Sequence, residues 1–276
     1  MVETTKLIHE YLRHSKKFPH VYCPGCGHGI VLGSIIRSVH HLGLSKDEVV
    51  LIAGIGCSGR MAVYVDFNTI HTTHGRALTF ATGVKLANPK LKVIVVMGDG
   101  DALSIGGNHF IHAARRNIGV TALVLNNNIY GMTGGQSSST TPENSYSTTT
   151  PYGHLERDFD VVNLALGCGA NFVSRTTALH AQLMDKLLTK AIENPGFNVV
   201  EVLTPCFTQY GRKNKFKNVV EMYSWYRKNT IKVEKYKELP EEKRAGKIPI
   251  GVFSDKQEPG FEEKYGQLRE KLRSKK

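Results

Sequence analysis

A chain of 276 residues, 41% hydrophobic and 22% charged, can bury one substantial core, so neither a disordered tail nor a minimal disulfide scaffold fits. It has no run of about 18 apolar residues, and its first residues, M-V-E-T-T-K-L-I-H-E, include acidic side chains and no long apolar stretch. A helical membrane span and a signal peptide are therefore not expected, and the cytoplasm is the expected location.

The formal charge of +12 is unevenly placed. From Gly211 onward there are 19 Lys and Arg against 10 Asp and Glu, leaving the first 210 residues close to neutral. A basic C-terminal extension over 211–276 is read from this, following a main domain over 1–210. Such a segment attracts an acidic protein, a coenzyme phosphate or nucleic acid. No RNP, helix-turn-helix or zinc-finger pattern accompanies it, so no nucleic-acid role is expected.

In chain order, the first landmark is Y-C-P-G-C-G-H-G-I at Tyr22–Ile30. C-x-x-C with Pro and Gly between is a tight turn presenting two thiolates to one centre, and on its own it suits half a zinc site or a redox pair equally. A helix follows over Ile30–His41, with His28 at its start as either a cap or a ligand contact. Val49–Ala53 is a buried strand ending in G-I-G-C-S-G-R, where glycines allow the backbone to approach a ligand and Cys57 is the third cysteine. Arg60 closes that run, either as a bidentate partner for a carboxylate or phosphate or as a solvent-facing side chain. H-T-T-H-G-R leads into an Ala-rich helix over Gly75–Asn88. His74 is read as a cofactor or phosphate contact, and His71 with His74 makes only a weak metal pair.

The central unit spans Val93–Gln136. Val93–Met97 and Thr121–Leu125 are short, β-branched-rich runs, as buried parallel strands are. Asp99 and Asn127 follow them 28 positions apart, about one βαβ unit, so both side chains reach the carboxyl edge where open α/β sheets bind ligands. A carboxylate and an amide oxygen are hard ligands that suit Mg²⁺, while Gly98 and Gly100 let a diphosphate come close. Asp and Asn capping two ordinary turns is the bland alternative.

The Ser/Thr-rich stretch after Gln136 resembles a flexible linker in composition, but a loop this long inside a compact domain is more often functional or partner-covered. Helices over Asp160–Leu166 and Ala178–Ile192 and strands over Asn171–Ser174 and Phe197–Leu203 complete the pattern. The last strand returns Cys206 to the same edge. The architecture expected is α/β, a parallel sheet with helices on both faces. Cys168, in L-A-L-G-C-G-A, reads as a small apolar residue. The other four cysteines, with no histidine among them, fit Zn–Cys₄ or a 4Fe–4S cluster. Zinc usually prefers two knuckle pairs, and Cys57 and Cys206 are isolated, which favours the redox cluster.

G-D-G followed by N-N resembles the thiamine-diphosphate (ThDP) fingerprint. C-P-G-C-G-H-G, G-I-G-C-S-G, H-T-x-H-G-R-A, G-D-G-D, G-G-N-H, N-N-x-I-Y-G-M-T-G-G-Q and T-P-C together are similar to the β-subunit of 2-oxoacid:ferredoxin oxidoreductases, from about Cys23 to Lys217. G-D-G-D with G-G-N-H leans toward the 2-oxoglutarate branch. The resemblance implies ThDP, Mg²⁺ on Asp99, Asn127 and the Ile129 carbonyl, and a 4Fe–4S cluster on Cys23, Cys26, Cys57 and Cys206. It implies that Ile55, Gly56, Cys57, Ser58, His74, Gly98, Gly100, Asp101, Asn127, Gly131 and Met132 line the cofactor, with Arg60 and His74 toward substrate. Where 2-oxoglutarate members carry Lys, this chain has Arg60, which keeps the cation and changes its geometry. The implied activity is ThDP-dependent oxidative decarboxylation of a 2-oxoacid to acyl-CoA and CO₂, with electrons passed to ferredoxin, reversible as reductive carboxylation. It would need an α (or fused α/γ) subunit carrying the pyrimidine-binding domain, in an (αβ)₂ assembly. A non-redox ThDP decarboxylase or synthase subunit needs none of the four cysteines, and a zinc-binding module needs no ThDP.

Overall fold

In the computed structural model, residues 2–15 and 19–275 are described. Helices α1 (Val2–Glu10) and α2 (His28–His41) precede strand β1 (Val49–Ala53). Then come β2 (Asn68–His71), α3 (Ala77–Ala87), β3 (Lys92–Gly98), α4 (Gly107–Arg115) and β4 (Thr121–Asn126). After a long loop follow α5 (Val161–Gly167), β5 (Phe172–Thr177), α6 (Ala181–Glu193) and β6 (Asn198–Leu203). The remainder is α7 (Val219–Asn229), β7 (Thr230–Lys232), α8 (Val233–Glu238), β8 (Ile248–Asp255) and α9 (Phe261–Arg273).

The strands form one sheet in the order β2-β1-β3-β4-β6-β5-β8-β7. β1 to β6 run parallel, and β8 joins β5 antiparallel with β7 parallel beyond it. Every residue of β1, β4, β5 and β6 is buried, as strands covered on both faces require. Alternate side chains feed two cores. On one face Val96, Leu123 and Val200 meet Val31 and Ile35 of α2 and Leu187 and Leu188 of α6. On the other, Val95, Ala122 and Val199 meet Ala77 and Ala81 of α3, Phe110 of α4 and Val161 of α5. Each fully buried Val, Leu, Ile or Phe is worth about 1.5–3 kcal/mol, so the central strands are the best-held part of the fold. No helix among the described residues is long and apolar enough to cross a membrane.

The structure refines several expected bounds. The helix expected over Gly75–Asn88 begins at Ala77, because Gly75 has φ +72° and packs where a Cβ would crowd Gly106 N. Asp160 is not in α5 but caps it, accepting from the Asn163 N–H at 2.8 Å. α2 starts at His28, two residues earlier than expected, and α6 starts at Ala181, three later. His71 lies on a strand, β2, and not in a loop. Within 211–276, read from the sequence only by their charge, the described residues supply β7, β8 and helices α7, α8 and α9, with the strands at the β5 side of the sheet.

Candidate active site

Four parallel strands end at one rim, and the turns beyond them carry the chemistry. β3 and β4 are in register with Gly98 opposite Leu125, so Asp99 and Asn127 leave adjacent strands on the same edge. One cavity of about 130 Å³ opens there. The turn after β1 contributes Ile55, Gly56, Cys57 and Ser58; the turn after β3 contributes Gly98, Asp99, Gly100 and Asp101. Asn127, Ile129, Gly131 and Met132 line it from the turn after β4, and His74 from the turn between β2 and α3. His28, Tyr130 and Thr133 also line it; the sequence reading gave no site role to Tyr130 or Thr133. Tyr130 lies inside the N-N-x-I-Y-G motif, which is the one signal the sequence offers for it; its ring packs beside Gly100 only once the turn after β4 has folded. Arg60 does not line the cavity; it is exposed on the short helical turn Ser58–Val63.

Two carboxylates are embedded in this rim. Asp99 is buried, and burial pushes its carboxyl up while hydroxyls and backbone N–H groups pull it back. Ser138 Oγ donates to its Oδ2 at 2.5 Å and Thr140 Oγ1 at 2.7 Å. Asp101 is equally buried, and burial likewise raises its pKa against donors from Gly75 and His74. Its Oδ1 lies 2.6 Å from His74 Nδ1 and accepts from the Gly75 N–H at 2.7 Å. Its Oδ2 is buried without a hydrogen-bond partner. Gly54 must be glycine here, since a Cβ would overlap the Asp101 carboxylate, and a Cβ on Gly100 would overlap the Tyr130 ring.

Asn127 Oδ1 accepts from the Ile129 N–H at 3.3 Å, which draws the turn after β4 into a compact loop. A carboxylate, an amide and the adjoining backbone of that loop therefore face one glycine-walled space. That donor set fits a hard divalent cation, and the glycine walls fit a diphosphate at close range.

Beside this cavity the thiols gather. Burial raises the pKa of Cys26 to about 11, and Cys23, Cys57 and Cys206 each push it in the same direction. Cys57 is raised by burial and then by Cys206 and Cys23, and Cys206 by burial and then Cys23. Cys206 Sγ stands 3.4 Å from where a Cβ of Gly131 would lie, against the wall of the cavity. Cys168 is raised by burial alone and packs against the other core. The four thiols are thus electrostatic neighbours and the fifth is apart. Among the described residues, no group of three or more His, Cys, Asp or Glu side chains is arranged as a ready metal-ligand set, so the thiols are near one another without being closed around a centre. Behind them, Tyr22 is buried between His28 and Tyr64, with ring centroids 5.4 and 5.9 Å away. Burial lowers the pKa of His28 to about 4, so its imidazole is neutral at physiological pH.

Comparison with known proteins gives the family. Residues 54–202 match the family described as thiamine pyrophosphate enzyme, C-terminal TPP binding domain. The 2-oxoglutarate synthase subunit KorB of Methanothermobacter marburgensis is 45% identical over 263 residues, 95% of this chain and 92% of that protein. The KorB subunit of Archaeoglobus fulgidus is 55% identical over 199 residues, 72% of this chain and 74% of that protein. A chain of the solved 2-oxoglutarate:ferredoxin oxidoreductase from Magnetococcus marinus, with 2-oxoglutarate, coenzyme A and succinyl-CoA bound, superposes with a TM-score of 0.84 at 33% identity, covering 96% of this chain and 90% of that one. The chain belongs to the β-subunits of the 2-oxoacid:ferredoxin oxidoreductases, in the 2-oxoglutarate branch that includes KorB.

Proposed function

We propose that this chain binds ThDP through Mg²⁺ in the rim cavity and a 4Fe–4S cluster on Cys23, Cys26, Cys57 and Cys206. It acts as the β-subunit of a cytoplasmic enzyme that converts 2-oxoglutarate and coenzyme A to an acyl-CoA and CO₂. The cluster, when bound, would supply one-electron chemistry for handing the two electrons released to ferredoxin, and the activity would be reversible as reductive carboxylation. The observation that carries this reading is that Cys57 lines the same cavity as Asp99 and Asn127, while Cys206 abuts its Gly131 wall.

ThDP, when bound, supplies the carbanion chemistry that a 2-oxoacid needs. The chain's own residues bind, orient and insulate. Asp99, Asn127 and the Ile129 carbonyl offer oxygens to the cation. Ile55, Gly56, Ser58, Gly98, Gly100, Asp101, Gly131 and Met132 enclose the cofactor. His74, half-buried and tied through Nδ1 to Asp101, is oriented toward substrate, and the exposed Arg60 draws the substrate's carboxylate toward the mouth. Cluster-bearing and ThDP-bearing residues fall within 1–210. Residues 211–276 form the basic extension, whose exposed Lys213, Lys215 and Lys217 offer a landing surface to acidic ferredoxin. As a β-subunit the chain works with an α (or fused α/γ) subunit that carries the pyrimidine-binding domain, in an (αβ)₂ assembly.

The test is anaerobic co-purification with that partner, iron and sulfide analysis, and viologen-dye reduction with pyruvate or 2-oxoglutarate. Coenzyme A-dependent reduction favouring 2-oxoglutarate is expected. Decarboxylation with neither iron nor dye reduction would point to a non-redox ThDP subunit, and stoichiometric zinc without ThDP would point to a non-catalytic module.

A further inference from the structure

The Ser/Thr-rich stretch after Gln136 is folded against the carboxyl ends of β3 and β4. Ser138, Thr140 and Thr141 are all buried. The first two aim their hydroxyls at one atom, Asp99 Oδ2, at 2.5 and 2.7 Å. Each hydroxyl has a single proton, so both protons are drawn to one carboxylate oxygen. The loop is itself braced. The Ser138 N–H donates to Thr141 Oγ1 at 2.8 Å, and Thr141 Oγ1 donates to the Asn128 carbonyl at 2.7 Å.

Asn126 Oδ1 lies 3.1 Å from Thr140 Oγ1, a longer alternative acceptor for the one proton that the 2.7 Å contact gives to Asp99, and Asn126 Nδ2 donates to Glu201 Oε1 at 2.8 Å. Glu201 Oε2 accepts from Arg175 Nε at 2.6 Å, and an Arg175 terminal nitrogen donates to Asp160 Oδ2 at 2.8 Å. Thr140 thus sits between the Asp99 carboxylate and a polar chain that runs from Asn126 on β4 across β6 and β5 to the cap of α5. A carboxylate fixed at this many points does not turn freely about its terminal torsion.

We propose that Ser138 and Thr140 are positioning residues that hold Asp99 to one-oxygen ligation and so favour Mg²⁺ over Ca²⁺ at this site. The inference rests on the reading of Asp99 as a metal ligand. Oδ2 holds two charge-assisted hydrogen bonds, which makes Oδ1 the better placed of the two oxygens for a cation. Mg²⁺ demands near-octahedral single-oxygen contacts and keeps several waters. Ca²⁺ takes more oxygens and accepts a carboxylate through both of its own. Clamping one oxygen therefore penalises the larger ion.

The experiment uses the full chain co-purified with its partner subunit, stripped of metal and supplied with ThDP. Free Mn²⁺ is followed by electron paramagnetic resonance, with Mg²⁺ and Ca²⁺ as competitors. Ser138→Ala and Thr140→Val are each expected to weaken Mn²⁺ and Mg²⁺ binding about tenfold while Ca²⁺ binding changes little, so the Mg²⁺ preference falls. Thr140→Ser keeps the hydroxyl and is expected to keep the preference. Melting of the metal-free complex identifies variants that are folded, and Ser138→Ala serves if Thr140→Val is not. Folded variants with unchanged affinity and unchanged preference would overturn the proposal, as would an equal loss for all three cations. Asp99→Ala separates the two levels: if it leaves Mn²⁺ binding intact, the metal reading itself fails, whereas if it abolishes binding while the hydroxyl variants do nothing, only the positioning role fails.

Discussion

Arg175 and Glu201 stand opposite each other in register on β5 and β6, with Arg175 Nε 2.6 Å from Glu201 Oε2 and both side chains buried. Burial disfavours the guanidinium's charge, but Glu201 and Asp160 more than offset this and hold its pKa above the ordinary arginine value. Removing half of a buried pair strands the other charge. Arg175→Met is expected to lower stability by about 3–5 kcal/mol in denaturant unfolding, and the double variant Arg175→Met/Glu201→Leu to recover much of that. A double variant no better than the single one would refute this account.

Gly54→Ala places a methyl group into the Asp101 carboxylate. ThDP affinity measured by calorimetry is expected to fall at least about tenfold, equivalent to about 1.4 kcal/mol. Gly83→Ala, in open space on α3, is the contrast: unchanged ThDP binding and about 0.5–1 kcal/mol of added stability from helix propensity are expected.

Cys206 and Cys168 separate cluster chemistry from packing. Cys206→Ser is expected to lose most iron and sulfide from anaerobically purified protein, together with the visible absorbance of the cluster. Cys168→Ser is expected to retain both, because its thiol shares no electrostatic contact with the other four. Equal iron content in the two variants would remove Cys206 from the cluster.

Lys85 is buried, donating to the Pro89 and Leu91 carbonyls, and burial lowers its pKa below 10.5 although Glu262 partly restores it. Between the folded-state value and 10.5 the unfolded chain binds more protons, so this residue's contribution makes stability rise with pH through that window. Urea midpoints taken at rising pH below 10.5 should show a smaller upward contribution in Lys85→Met than in the parent. Identical slopes would place the lysine's charge outside the fold's energetics.

The basic extension is tested by charge reversal. With Lys213, Lys215 and Lys217 changed to Glu, ferredoxin reduction is expected to slow while dye reduction is retained. The parent rate should fall steeply as the Debye length shrinks from about 10 Å at 0.1 M salt. A flat salt response would move the docking surface elsewhere.

The buried strands were legible because β1, β3, β4 and β6 are apolar runs followed by Gly, Asp, Asn or Pro punctuation, and the spacing of Asp99 and Asn127 followed from them. β2 was not, because N-T-I-H has one large apolar residue and lies half-exposed at the margin. Nor were α7 to α9 and β7 to β8, where charge obscured the pattern; α9 has no buried residue among its thirteen. Ser138 and Thr140 read as linker because their partner, Asp99, is 39 and 41 positions away and the bond exists only after the loop folds back. Tyr130 stood within a quoted motif, but its contact with Gly100 depends on the turn after β4.

Both rims of the sheet end in stubs: four residues in β2 and three in β7. Neither offers a ribbon long enough to seed cross-chain pairing, and Lys232, the last residue of β7, further discourages an incoming backbone. Sheet-to-sheet growth is therefore disfavoured at both margins, and the buried strands stay enclosed between their two helical layers.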